Sequence, residues 1–136
     1  MGKPKPKPRA GSVPSPTDAE LAILRVLWSR GPGTVRDVHE ALNRRRPTGY
    51  TTALKLMQIM TEKGLLLRDE AGRSHVYHPR VSEEAVERGL VRDLLERAFD
   101  GAADRLVLRA LGGKRGTPEE AANIRKLLDE IEGREP

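Results

Sequence analysis

The feature that most constrains this chain is a switch in apolar period at Gly64. Before it, three stretches carry large aliphatics at helical spacing; after it, two short stretches alternate like strands. The first helix opens at Thr17-Asp18-Ala19-Glu20, a capping box in which Thr17 is the N-cap and Glu20 reaches back to its amide. Leu21, Leu24, Leu27 and Trp28 recur on one face, Ile23 and Val26 widen it, and Arg30-Gly31-Pro32-Gly33 ends the helix. Thr34 caps a second helix with Val35, Val38, Ala41 and Leu42 on its buried side, and Pro47 stops it after Arg44-Arg45-Arg46. A connector over residues 48–51 leads to a third helix ending before Lys63-Gly64, with Ala53, Leu56, Met57 and Met60 on its apolar face. Residues 65–68 and 74–78 then read as a hairpin about a turn that places Gly72 where a positive φ is needed. So small a hairpin is marginal alone and must lean on the helices.

Beyond Pro79 the chain returns to helical spacing. Ser82 caps a long helix to about Phe99, bearing Val86, Leu90, Val91, Leu94, Leu95, Ala98 and Phe99. A short helix carries Ala103, Leu106, Val107, Ala110 and Leu111 between the breaks at Gly101 and Gly112-Gly113. Thr117-Pro118-Glu119-Glu120 then opens a last helix with Ile124, Leu127, Leu128 and Ile131. The expected fold class is mainly α with a small β-hairpin. The expected division is a disordered, basic, proline-rich tail over 1–16, a winged-helix domain over 17–80 and a helical dimerisation region over 81–136.

Charge follows this division. Residues 1–80 hold 15 Lys and Arg against 7 Asp and Glu, a surplus of eight, whereas residues 81–136 hold 10 against 13, a deficit of three. Basicity confined to one half suggests a polyanion partner for that half. The chain has no cysteine, which removes a disulfide scaffold, a thiolate metal site and a cysteine nucleophile together. No apolar run approaches the ~18 residues of a membrane span, and no apolar leader or myristoylation signal is read at the N-terminus, so a cytoplasmic location is expected.

Catalytic patterns are missing. His39-Glu40 begins a His-Glu-x-x-His metal motif, but Asn43 occupies the second ligand position. His75 and His78 lie three apart on an expected strand and face opposite ways. No glycine-rich phosphate loop occurs. Neither enzyme activity nor a cofactor or metal is expected.

Three helices followed by a hairpin is the order of a winged helix-turn-helix, whose third helix enters the major groove. That helix offers Tyr50, Thr51, Thr52, Lys55 and Gln58 away from its core face. Arg44, Arg45 and Arg46 precede it, where phosphates would lie, and Arg73 stands at the hairpin tip. The C-terminal helices are too few to bury a core of their own, so a second copy is expected on a face that includes Leu90, Leu94, Leu95, Phe99, Leu106, Leu127 and Leu128. The alternative from another class is a protein-interaction adaptor built on a winged helix.

Three linked stretches carry a family resemblance: Thr17-Asp18-Ala19-Glu20-Leu21 through Trp28; Tyr50-Thr51-Thr52 through Glu62-Lys63-Gly64-Leu65; and Gly72-Arg73 through Tyr77-His78-Pro79. Together they resemble the penicillinase-repressor family (BlaI/MecI/CopY type) over about residues 15–130. The resemblance implies a dimeric bacterial repressor on an inverted-repeat operator. It also implies relief by proteolysis, triggered by a membrane-bound metalloprotease sensor. The family's scissile bond maps onto Ala98-Phe99, with Ala98 where members carry Asn. Leu54 and Ile59 stand where members often carry polar or basic residues. Copper sensing in the family uses a C-terminal cysteine cluster, which this chain lacks.

Overall fold

The computed structural model describes residues 13–113 and 115–133. Their order is α1 (Asp18–Arg30), α2 (Val35–Asn43), α3 (Tyr50–Lys63), β1 (Leu66–Asp69), β2 (Val76–Pro79), α4 (Glu83–Phe99), α5 (Ala103–Leu111) and α6 (Pro118–Ile131). The chain divides into two compact units between Asp93 and Leu94. That division lies inside α4, later than the boundary expected after Arg80.

In the first unit, α1, α2, α3 and the hairpin close around one core. Ile23, Leu24, Leu27, Val35, Val38, Ala53, Met57, Met60, Leu65, Leu66, Tyr77 and Val86 are all buried. Burying each of the larger side chains is worth roughly 1.5–3 kcal/mol. Trp28 is half-buried rather than central, and its indole Nε1 donates to the Val81 carbonyl at 3.0 Å. It thus ties the chain leaving the wing to α1. Leu90, expected on the dimerisation face, is partly buried against this core, because α4 begins as part of the first unit. Of the expected tail, residues 1–12 lie outside the described residues. Val13, which falls within the expected tail, packs against the core.

The helix starts follow capping chemistry. Thr17 and Glu20 form the expected box, and Thr34 forms a second one with Asp37. The Thr34 amide and hydroxyl, and then the Arg30 charge, hold the Asp37 carboxyl below its ordinary range. Gly64 ends α3 in the left-handed conformation at φ 86°. The hairpin pairs Leu66 with Pro79 and Arg68 with Tyr77, which puts Leu66 and Tyr77 on the inner face and leaves Leu67 outside. A third strand segment joins it: Tyr77 donates to the Gly33 carbonyl at 2.8 Å, and Gly33 donates back at 3.1 Å. A side chain at Gly33 would meet the Arg30 guanidinium and Asp37 Cβ, so glycine here leaves room for the Arg30–Asp37 pair.

Glu20 is the one buried charged residue among those described, 2% exposed. Its Oε1 lies 2.6 Å from Lys63 Nζ, joining the start of α1 to the end of α3. Burial works against its charge, but the Lys63 ammonium and the Thr17 amide prevail and hold the carboxyl below its usual range.

The second unit holds the end of α4 with α5 and α6. Thr117 and Glu120 form the expected capping box on α6. No residue of α5 or α6 is buried. At the α4–α5 turn, Asp100 and Gly101 adopt positive φ, and Arg105 Nη2 donates to the Phe99 carbonyl at 2.9 Å.

Candidate nucleic-acid interface

The exposed face of α3 is built by helical spacing. Ala53, Met57 and Met60 turn inward, which rotates Thr51, Lys55, Gln58 and Glu62 onto one outward stripe. Thr52 and Tyr50 flank the start of the stripe, both exposed. α3 begins at Tyr50, so the two residues expected in the connector, Tyr50 and Thr51, form its first turn. The face therefore combines hydroxyls, an amide, a cation and, at its far end, the Glu62 carboxylate, with no aliphatic side chain on the stripe itself. Leu54 and Ile59 are half-buried at its edges. Glu62 is not among the residues expected on this face, although Lys55 plus one further heptad step points to it.

Tyr50 and Arg73 line the same open groove between α2, the start of α3 and the hairpin, together with His39 and Leu54. Arg73 is exposed there, in the loop that an aspartate turn organises: Asp69 Oδ1 accepts from the Ala71 amide at 2.9 Å. Arg44, Arg45 and Arg46 are exposed after α2, but not on this groove. Arg44 and Arg45 line a different one, toward α1, where Arg25 joins them. The cations expected to act together thus line different grooves, and Arg25 adds to that of Arg44 and Arg45.

The entrance itself is braced in an unexpected way. α1, α2 and α6 each start on a threonine capping box, whereas α3 starts on Gly49 with no side-chain cap. His39 Nε2 lies 2.8 Å from the Thr48 carbonyl oxygen, and Asn43 Oδ1 accepts the Thr48 amide at 2.7 Å. A carbonyl only accepts, so this contact is a hydrogen bond in the tautomer with the proton on Nε2. In that tautomer Asn43 Nδ2, 3.1 Å from the same nitrogen, is a neighbour and not a donor to it. The same ring meets Tyr50 edge-on, with centroids 5.7 Å apart. The pair that fails as a zinc motif, His39 and Asn43, instead clamps the loop before α3.

Geometrically the unit presents a helix with a polar outer face, a helix N-terminus without a side-chain cap, and exposed cations in two grooves. Such a surface supplies donors to base edges and positive charge to phosphates. Among the described residues no helix is long and apolar enough to cross a membrane.

Comparison with known proteins is consistent with this geometry. Residues 16–130 match the family model described as penicillinase repressor. The chain is 37% identical over 116 residues to a protein of Mycobacterium tuberculosis named transcriptional regulator BlaI, covering 85% of this chain and 83% of that one. It is 25% identical over 122 residues to the penicillinase repressor of Bacillus licheniformis, covering 90% and 95% respectively. Among solved structures, the monomeric form of Bacillus licheniformis BlaI in complex with the blaP half-operator matches with a TM-score of 0.48 at 26% identity, covering 54% of this chain and 90% of that one.

Proposed function

This chain belongs to the penicillinase-repressor family and is a transcriptional repressor, not an enzyme; from that premise we propose how it holds its operator. α3 lies in the major groove of double-stranded DNA and reads base edges with Thr51, Thr52, Lys55 and Gln58, while Tyr50 closes its N-terminal end. Arg44, Arg45 and Arg46 on one side and Arg73 on the other grip the flanking phosphates. The observation that carries this reading is the α3 stripe itself, a fully polar exposed face on a helix whose opposite face is locked in the core.

Two copies act together on an inverted repeat. The support is the apolar surface of the second unit: Leu94, Val107, Leu108, Leu111, Leu127, Leu128 and Ile131 are all exposed in the single chain. A twofold pair would cover these side chains, along with Leu95, Phe99 and Leu106, and present two α3 helices to an operator of matching symmetry. Cleavage at Ala98–Phe99 by a membrane-bound metalloprotease sensor would separate the two reading heads and relieve repression in the cytoplasm. Exposure of Ala98 in the last turn of α4, beside the left-handed Asp100 and Gly101, supports access to that bond.

The test is binding to the DNA upstream of its own gene against random duplex of equal length. Lys55→Ala and Thr51→Ala are expected to weaken the former about tenfold more than the latter, as losing a base contact worth ~1–3 kcal/mol requires. Equal losses on both would reduce these residues to phosphate contacts. Absence of any retardation at micromolar wild-type protein would favour the adaptor reading.

A further inference from the structure

We propose that His39 is a positioning residue for DNA reading: it sets the start of α3 through the Thr48 carbonyl and the Tyr50 ring, and thereby the register of the reading face. The inference rests on the assignment of α3 as the reading helix and adds the element that fixes where it begins.

Three observations carry it. First, α3, like α5, starts without a side-chain cap, whereas α1, α2 and α6 carry threonine boxes, so no N-cap side chain pins its first turn. Second, the chain just before that turn is gripped from α2. His39 Nε2–H donates to the Thr48 oxygen at 2.8 Å, and Asn43 Oδ1 accepts the Thr48 amide at 2.7 Å, so both backbone polar groups of one residue are held. Third, the His39 ring abuts Tyr50 edge-on, so the same side chain orients the first side chain of α3. His39 is itself half-buried on α2, whose Val35 and Val38 are fixed in the core. The brace therefore refers the polar face of α3 to the rigid body of the domain. A threonine cap would order α3 only relative to its own preceding residue. The clamp orders it relative to α2.

Side-chain chemistry makes this separable from a purely structural role. Glutamine places an amide donor close to where Nε2–H stands and can reach the Thr48 carbonyl; asparagine is too short. The experiment uses the full-length chain and its His39→Ala, His39→Asn and His39→Gln variants. One measurement is amide hydrogen exchange without DNA; the other is the ratio of affinities for DNA upstream of its own gene and for random duplex. His39→Ala and His39→Asn are expected to speed exchange at Tyr50–Ala53 about tenfold or more, with α1 core amides unchanged. The affinity ratio falls about tenfold through loss on the specific duplex, and His39→Gln restores both within about twofold.

Unchanged exchange at Tyr50–Ala53 would overturn the brace. Faster exchange with an unchanged affinity ratio would overturn its part in reading, provided Lys55→Ala lowers that ratio. A flat ratio in Lys55→Ala as well would overturn the assignment of α3, and this inference with it. A His39→Gln variant as defective as His39→Ala would show that the ring, not the Nε2–H donor, is what matters, and would overturn the hydrogen-bond mechanism.

Discussion

The two units of this chain solve the burial problem in opposite ways. The first encloses twelve apolar residues and pairs its one buried carboxylate with Lys63. The second buries no residue of α5 or α6 and leaves Ile131 72% exposed. Scattered exposed aliphatics are ordinary on a protein surface, but several leucines on consecutive helices are not. A unit with a closed core can present a polar reading face without losing its shape. On the proposed reading, the unit without one draws its stability from a second copy, so its folding and its partner are coupled. In the proposed repressor, that coupling makes the second unit the place where the operator grip is made or broken.

The sharpest way to break this contrast is to charge the open apolar face. Leu94→Asp combined with Leu127→Asp places two carboxylates among exposed leucines of the second unit. The expected outcome is a monomer in sedimentation velocity and a loss of affinity for a two-half-site operator of about 100-fold or more, the scale on which joining two binding heads acts. Binding to a single half-site is expected to remain, because the first unit keeps its own core. A wild-type chain that sediments as a monomer at micromolar concentration would remove the difference between the units as drawn here.

A smaller effect is expected from the buried pair, and it should stay within the first unit. Lys63→Met strips the counter-ion from Glu20, and a buried carboxylate left unpaired costs about 2–3 kcal/mol. The measurement is the urea midpoint of the first unit, with the association state unchanged. Its pH dependence has a definite sign. The Glu20 carboxyl is held below its unfolded value of 4.5, so its contribution is present above that value and is lost as pH falls through the lower folded one. Glu20→Gln should flatten that acid limb of the stability profile. An unchanged limb would show that other carboxylates set it.

Much of this architecture was legible because local chemistry and burial agree. The boxes at Thr17 and Thr117, the stop at Gly64 and the apolar spacing of α1 and α3 each follow from neighbouring residues alone. What escaped depends on partners distant in sequence. Gly33 reads as a helix stop, yet its backbone completes the sheet with Tyr77. Leu90 reads as interface by helical period, but the period of α4 does not reveal that its first turns belong to the first core. On the reading face, Thr51, Lys55 and Gln58 follow from rotation of Ala53, Met57 and Met60 inward. The separation of Arg44 and Arg45 from Arg73 does not, because runs of basic residues carry no direction. His39 reads from spacing only as half of a metal motif; its contact is a backbone carbonyl nine positions along the chain, which no spacing rule signals.

The smallest expected effect compares cations on the two units. Arg45 and Arg73 are both exposed on the first unit, in different grooves. If each neutralises a phosphate, replacing either with alanine lowers the slope of log K against log salt by about 1. The loss should fall alike on specific and random DNA, since a phosphate contact carries no sequence information. Arg125 on α6 is also exposed, and it shares its groove with Glu120 and apolar residues of the second unit. Arg125→Ala is expected to leave the salt slope unchanged. Net charge falls equally in all three variants, so a general dependence on basicity would lower all three slopes together. Only a local grip by the first unit separates Arg45 and Arg73 from Arg125. A slope for Arg125→Ala that moves with the other two would therefore place the electrostatic contact on the whole chain and erase the division of labour between the units.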